Sequence, residues 1–196
     1  MTCIIGFKDR QNNRVYMGGD RMAGNTQQYL TLNFAHPKVF TKSVHNLKNT
    51  NEKIDILMGY TTSFRMGQLL QYELNLSYPF DGKLTMKHMV TKIIPELRDA
   101  YHNAGYGKKD DAEKMNGGTL LVGSRDSLFS VRGDFSVLEV KDNFASIGCG
   151  AELACGALFA LKNDPVMSIP KKIKTAIEAA AHFSAYVTSE CDIIMD

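Results

Sequence analysis

The chain has 196 residues, 44% hydrophobic and 22% charged, which is the balance of a soluble globular protein with one sizeable core. Its 23 basic and 21 acidic residues leave a net charge of +2, which does not indicate a nucleic-acid surface. No apolar run reaches the ~18 residues of a membrane span, and no signal-peptide pattern opens the chain. The four cysteines show no metal-ligand spacing. We therefore predict a cytoplasmic protein without a metal or other cofactor and without a nucleic-acid or membrane partner.

The first twenty residues predict a β-hairpin. An apolar run at residues 3–7 and another at residues 15–17 are separated by a polar turn at residues 9–13. Two short β-rich runs joined by an Asn/Asp turn are typical of a hairpin. The hairpin places the start of the chain beside the Gly-Gly-Asp turn that ends at Asp20. The hydroxyl of Thr2 is therefore predicted to lie near a carboxylate.

Thr2 is a candidate nucleophile because it directly follows Met1. A threonine hydroxyl is a weak nucleophile that needs an adjacent base. A free α-amine has a pKa of roughly 7.7–8.0, so an amino-terminal threonine carries its own base. The hypothesis requires removal of Met1, which a small second residue permits. The alternative is that Thr2 is an ordinary residue behind the initiator methionine.

The first half of the remaining chain predicts strands followed by two helices. Residues 29–34 and 54–59 are predicted as strands, and the polar stretch 41–53 as a solvated loop. Apolar residues at helical spacing then predict two amphipathic helices, the second kinked by Pro95. Residues 103–118, rich in Gly, Lys and Asp, are predicted as an exposed loop. The residues predicted to face inward are Met66, Leu69, Leu70 and Leu74 in the first helix, and Met86, Met89, Val90, Ile93, Ile94, Leu97 and Tyr101 in the second.

The second half returns to strands and ends with two helices and a strand. Short β runs are predicted at residues 119–122, 128–131, 137–140, 144–147 and 191–195. Helices are predicted at residues 151–161 and from the N-cap Ser168 onward. Strands and helices come in blocks, which excludes a doubly wound parallel sheet and indicates one α+β domain over residues 1–196. The predicted inward residues are Leu153, Ala154, Ala157, Leu158, Leu161, Ile173, Ala176, Ile177, Ala180 and Ala181.

Several motifs, in one order along nearly the whole chain, resemble a known family. They are Thr2 with the hairpin to Gly18-Gly19-Asp20, His36-Pro37-Lys38-Val39, Leu57-Met58-Gly59, the run Gly117 to Gly123, and the run Ala145 to Gly150. Together they resemble the N-terminal-nucleophile hydrolases of proteasome type, which include proteasome β-subunits and HslV. The resemblance implies a four-layer αββα sandwich, which agrees with the block order.

The resemblance implies a role for five residues. Thr2 matches the nucleophile, and Asp20 matches the carboxylate that holds the nearby lysine. Lys38 matches the lysine that lowers the pKa of the attacking centre. Gly59 matches the glycine whose backbone N–H faces the developing oxyanion. Cys149 falls where the family usually has a serine that hydrogen-bonds the terminal amine.

Each of these residues also has an ordinary structural interpretation. Asp20 could close a turn, Lys38 could be a solvated lysine, and Gly59 could simply end a strand. Cys149 could be a small core residue. The order of all the motifs favours the catalytic interpretation over these alternatives.

The sequence departs from the family at three places. Cys149 offers a thiol, which is a poorer hydrogen-bond partner than a hydroxyl. The family's later Asp and Ser should fall at residues 184–188, which contain Ser184 and Thr188 but no Asp. The hairpin turn at residues 9–13 is longer than usual in the family.

The sequence therefore predicts a threonine-type peptidase subunit that cleaves polypeptides. The resemblance implies a homo-oligomeric ring or related multimer with an ATPase unfoldase (AAA+ class) as a partner. Two alternatives remain open. One is an amidohydrolase of the same chemistry that acts on a small amide, and the other is a catalytically silent scaffold subunit.

Overall fold

The computed structural model describes residues 2–23, 36–45, 53–76, 83–106 and 118–196. These residues form nine strands and five α-helices, with one π-helical turn between the second and third helices. The strands are β1 Cys3–Asp9, β2 Arg14–Asp20, β3 Val39–His45, β4 Lys53–Tyr60, β5 Leu120–Ser124, β6 Ser127–Val131, β7 Val137–Glu139, β8 Phe144–Gly148 and β9 Cys191–Met195. The helices are α1 Phe64–Tyr72, α2 Met86–His88, α3 Ile94–Asn103, α4 Ala151–Leu161 and α5 Ile169–Phe183, and the π-helical turn is Met89–Ile93.

The strands form two antiparallel sheets. The first sheet has the order β8-β1-β2-β9, and the second has the order β3-β4-β5-β6-β7. β1 is central in the first sheet, where Ile4 lies opposite Gly19 of β2 and Ile147 of β8. This pairing confirms the predicted hairpin and places the start of β1 beside the end of β2.

Three hydrophobic clusters hold these elements together, and β1 contributes to two of them. Cys3, Ile5 and Phe7 pack with α4 and α5, whereas Ile4 packs with residues of the second sheet such as Leu57. Successive side chains of a strand point to opposite faces, so β1 is buried on both sides. The third cluster joins the second sheet to α1 and α3.

The predicted loop at residues 41–53 is wrong in its first part, because β3 continues to His45. Phe40 and Val44 are buried against the helices that cover the second sheet. Between them, the ammonium of Lys42 donates to the carbonyl of Leu74 at 2.8 Å. The outward face of this edge strand is polar, and that polarity concealed the period-two pattern.

The predicted second helix contains a π-helical turn directly before Pro95. The N–H of Ile94 bonds to the carbonyl of Met89, five residues back. Pro95 has no N–H to continue the regular pattern, so the helix widens where a kink was predicted. Val90 consequently turns outward and is 51% exposed, which makes its predicted inward position wrong.

The remaining predicted helices are found with one further exception. Met66, Leu69, Leu70 and Leu74 are all buried, as predicted. In α4, Leu153 is 38% exposed rather than inward. Ser168 is the N-cap of α5, although its side chain makes no capping hydrogen bond.

Some predictions cannot be compared with the structure. The predicted strand at residues 29–34 and most of the predicted loop at residues 103–118 lie outside the described residues. Within the described part of the chain, no helix has the length and apolar character that a membrane crossing requires.

Candidate active site

Asp20 ends β2 and is the acceptor around which the site is built. Its side chain is fully buried, and four donors surround its carboxylate. Oδ1 accepts the backbone N–H of Cys3 and the ammonium of Lys38, each at 2.8 Å. Oδ2 accepts the backbone N–H groups of Met22 at 3.1 Å and Thr188 at 3.4 Å. The carboxylate therefore ties the start of β1 to three separate segments of the chain.

Lys38 directly precedes β3 and forms a buried ion pair with Asp20. Only 3% of its side chain is exposed. Burial lowers the pKa of Lys38 below its usual value, and the attraction of Asp20 opposes that shift. The backbone N–H of Tyr60 donates to the carbonyl of Lys38 at 3.1 Å, which fixes the residue against β4. The predicted lysine is thus held at the carboxylate by both its side chain and its backbone.

Thr2 lies at the same end of the first sheet and is 5% exposed. Its backbone N–H donates to the thiol sulfur of Cys149 at 3.1 Å. Its carbonyl accepts the N–H of Gly150 at 3.3 Å. Gly148, with a φ of +97°, allows this close approach, since a Cβ there would stand 2.2 Å from the Thr2 carbonyl oxygen.

Cys149 has an exposed side chain in the turn between β8 and α4. Besides the Thr2 nitrogen, its sulfur lies 3.4 Å from the Thr2 carbonyl oxygen and 3.6 Å from that of Tyr186. A thiol has one proton, so Cys149 can donate to only one of these carbonyls at a time. It accepts the N–H of Thr2, which is the contact that the resemblance implied for Cys149.

The neighbouring Cys3 is not placed to be an alternative nucleophile. Its side chain is fully buried in the cluster between the first sheet and the helices α4 and α5. Burial raises the pKa of the Cys3 thiol to about 12. Thr2 points the other way and lines an open cleft together with Lys38 and residues 60–64.

Gly59 lies inside β4, beside this cleft but not among the residues that line it. A Cβ at Gly59 would stand 2.6 Å from Ile4 and 2.9 Å from Met17, so the second sheet needs a glycine to pack on the first. Its predicted role as the oxyanion donor stays a prediction.

Of the residues that line the cleft, sequence reasoning identified Thr2 and Lys38 and missed the others. Residues 60–64, which also line the cleft, carry no motif that the resemblance uses. At residues 184–188 the sequence offered Ser184 and Thr188 but no Asp. Thr188 supplies a backbone N–H to Asp20, and Ser184 accepts the N–H of Tyr186 at 3.2 Å. Almost any residue type can supply a backbone N–H, so the residue type at position 188 does not indicate this contact.

Comparisons with known proteins identify the fold. No protein-family model matches the chain, and no curated protein is detectably similar to it in sequence. BPH from Thiobacillus denitrificans is 18% identical, with a TM-score of 0.71 over 100% of this chain and 97% of BPH. HslV from Trypanosoma brucei is 16% identical, with a TM-score of 0.64 over 99% of this chain and 98% of HslV. Anbu from Yersinia bercovieri is 9% identical, with a TM-score of 0.69 over 100% of this chain and 81% of Anbu.

The two antiparallel sheets, with Thr2 directly before the first strand, form a proteasome-type fold. The chain shares this fold with BPH, HslV and Anbu. BPH is also known in complex with epoxomicin.

Proposed function

We propose that the chain is a threonine-type peptidase subunit in which Thr2 is the nucleophile. The observation that carries the proposal is the buried pair of Asp20 and Lys38, placed at the cleft that Thr2 lines. The four-layer order of helices, sheet, sheet and helices belongs to the same proposal. Its support is the three clusters that join each sheet to its helices and the two sheets to each other.

Catalysis begins once Met1 is removed and the nitrogen of Thr2 becomes a free amine. The amine takes the proton of the Thr2 hydroxyl as Oγ1 bonds to the carbonyl carbon of the substrate. The resulting ammonium then gives a proton to the leaving amine when the C–N bond breaks. Water attacks the remaining ester with the Thr2 amine again as base, and releases the carboxylate product and the hydroxyl.

The Asp20–Lys38 pair supports these proton transfers by its charge and by its contacts. The ammonium of Lys38 is a fixed positive charge, which disfavours protonation of a nearby amine and keeps that base neutral. Asp20 holds Lys38 in place and, through the N–H of Cys3, also fixes the residue that follows the nucleophile. Cys149 holds the amine by accepting its N–H. The resemblance assigns the oxyanion donor to Gly59.

Assembly is part of this proposal. The proteasome-type fold supports a homo-oligomer, in a ring or related multimer, with polypeptide substrates fed by an ATPase unfoldase. Light scattering should give a mass several times the 21.8 kDa of the chain. A monomer at micromolar concentration would favour an amidohydrolase that acts on small amides.

The decisive test is whether activity requires the free amine of Thr2. An amide nitrogen has no lone pair available for a proton, because it is delocalised into the carbonyl. Active protein should therefore have an intact mass lower than the encoded mass by one methionine. Protein that retains Met1 should gain activity on treatment with methionine aminopeptidase. Full activity with Met1 retained contradicts the proposed mechanism.

Side-chain variants separate the nucleophile from its surroundings. Thr2→Ala should fold and assemble but lose turnover, whereas Thr2→Ser retains a hydroxyl and should keep measurable activity. Epoxomicin should add its mass to the parent chain but not to Thr2→Ala. Turnover of Thr2→Ala within tenfold of the parent rules Thr2 out. If the parent protein has lost Met1 but neither reacts with epoxomicin nor turns over peptide, the chain is a catalytically silent scaffold subunit.

A further inference from the structure

Thr62 has a strained backbone and lines the same cleft as Thr2. Its φ is +84°, and the N–H of Ser63 donates to the carbonyl of Thr61 at 3.1 Å. A bond between residues two apart, around a central residue with positive φ, is the rare and strained form of the γ-turn. For a β-branched residue such a φ is an outlier. Strain of this kind persists where the surrounding structure enforces it, and it is enriched at functional sites.

The N–H groups of Tyr60, Thr61 and Ser63, which line the cleft beside Thr62, all have acceptors. The N–H of Tyr60 bonds to the carbonyl of Lys38, that of Thr61 to Thr119, and that of Ser63 to Thr61. Among the described residues, the Thr62 N–H has no acceptor. It belongs to a residue that lines the cleft together with Thr2.

The N–H groups of Gly59 and Thr62 point toward different neighbours of strand β4. Along an antiparallel strand, successive N–H groups point alternately to the two neighbouring strands. Tyr60 donates toward β3 and Thr61 toward β5, so Gly59 also faces β5, where Leu121 lies opposite it. The N–H of Thr62 is the next one that points to the same side as the N–H of Tyr60. At Thr62, however, strand β3 has not yet begun and offers no strand carbonyl.

The γ-turn maintains that direction. The carbonyl of Thr61 is occupied by Ser63. The N–H of Thr62 belongs to the same trans peptide and therefore points away from that contact. The hydroxyl of Thr61 lies 3.2 Å from both the carbonyl of Thr119 and the hydroxyl of Thr62, which secures the turn against β5.

We propose that the backbone N–H of Thr62, rather than that of Gly59, donates to the oxyanion during peptide hydrolysis. This assignment rests on the proposed function, since it needs Thr2 as the attacking group. When Oγ1 of Thr2 bonds to the substrate carbonyl carbon, the π electrons move to the oxygen. The Thr62 N–H stabilises that negative oxygen until the electrons return and the C–N bond breaks. Loss of one such donor lowers kcat by roughly 10²–10³-fold in other hydrolases.

The test removes single backbone N–H groups by replacing an amide with an ester. Cell-free translation with the α-hydroxy analogue of threonine deletes the N–H at Thr62 and keeps its side chain. A matched protein carries glycolic acid at Gly59. Kinetics with a fluorogenic peptide should show a fall in kcat of about 10²–10³-fold for the Thr62 ester, with a small change in KM. The Gly59 ester should stay within tenfold of the parent in kcat.

The reverse pattern overturns the inference, because a large loss at Gly59 and none at Thr62 assigns the oxyanion to Gly59. Thr62→Gly keeps the N–H and accepts positive φ without strain, so it should have an equal or higher Tm than the parent. If the parent protein is inactive although Met1 has been removed, that result contradicts the proposed function itself. If the parent protein is active and the Thr62 ester has the same kcat, that result contradicts the assignment to Thr62 alone.

A second measurement uses the unmodified chain and does not depend on folding of the esters. A peptide aldehyde that adds to Thr2 leaves an oxygen where the oxyanion forms. NMR of protein labelled with 15N-threonine and 15N-glycine reports hydrogen exchange at both residues. Exchange at Thr62 should slow on formation of the adduct, whereas Gly59 should already be protected. Unchanged exchange at Thr62 in fully trapped protein overturns the assignment.

Discussion

Lys38 and Asp20 form an ion pair of 2.8 Å in which at most 3% of either side chain is exposed. Two buried charges stabilise a fold only while each compensates the other. The two partners are not equivalent here. Asp20 accepts three backbone N–H groups besides the ammonium, whereas the carboxylate supplies the charge that opposes the desolvation of Lys38.

Asp20→Asn should therefore destabilise the chain more than Lys38→Met. The first change leaves a buried ammonium without its counter-charge, at a cost of ~3–5 kcal/mol in the free energy of unfolding. The second leaves a carboxylate that still has three donors. Urea unfolding of both variants, with peptide turnover in parallel, measures the difference. Both should lack turnover, and an Asp20→Asn variant as stable as the parent contradicts the buried pair.

Cys149 should tolerate a hydroxyl but not a large apolar side chain. Cys149→Ser keeps an acceptor near the Thr2 nitrogen and should retain or raise kcat, because a hydroxyl is the better hydrogen-bond partner. Cys149→Leu removes the acceptor, which lies 3.1 Å from the nitrogen, and should lower activity. Steady-state kinetics and Tm of both variants give the answer. Equal and mild effects show that Cys149 does not hold the amine.

Gly148→Ala should damage the site, whereas Gly156→Ala should not. At Gly148 a Cβ would meet the Thr2 carbonyl oxygen at 2.2 Å, and φ is +97°. Gly156 lies in α4 with nothing within 4 Å of the added Cβ. The first change should destabilise by ~1–3 kcal/mol and abolish turnover. The second should stabilise by ~0.5–1 kcal/mol, because alanine favours a helix. Thermal unfolding and turnover are the measurements, and similar results for the two variants refute the steric argument.

The Cys3 thiol should make stability depend on alkaline pH. Burial raises its pKa from 9.0 to about 12 in the folded chain. Below pH 9 the thiol is protonated in both states and its contribution to stability is complete. Between pH 9 and 12 the unfolded chain releases this proton while the folded chain retains it, so the free energy of unfolding falls as pH rises.

Cys3→Ala should lose that component of the pH dependence. Urea unfolding at pH 8 and pH 10 measures it, with the parent losing more stability between the two values than the variant. Tyr60, whose pKa burial raises to about 12, contributes equally to both proteins and cancels in the comparison. An identical pH dependence in parent and variant shows that the pKa of Cys3 does not differ between the folded and unfolded states.

Much of the fold was predictable because its signals are local. The hairpin of β1 and β2 follows from two apolar runs and a polar turn, and α1 follows from four apolar residues at helical spacing. The edge strand β3 was missed because its outward face is polar. Val90 was misplaced because helical spacing assumes a regular helix, and the π-helical turn before Pro95 rotates the residues of that helix.

In the candidate site, the features that depend on side-chain type were predictable, and those that depend on the backbone were not. Thr2, Asp20, Lys38 and Cys149 were predictable from residue type and order, and the structure places them at one end of the first sheet. The Thr188 N–H on Asp20 and the positive φ of Thr62 involve no particular side-chain chemistry. Both depend on long-range geometry, which the order of residue types does not express.

The contact between Asp20 and Thr188 spans 168 residues of sequence. A chain that folds as it leaves the ribosome has Thr2, the proposed nucleophile, within the first residues synthesised, but the Asp20 carboxylate lacks one of its four donors until residue 188 has emerged. The β2 strand that carries Asp20 is likewise unpaired on one side until β9 is made. Under the proposed function, the site that surrounds Asp20 is therefore completed only late in synthesis.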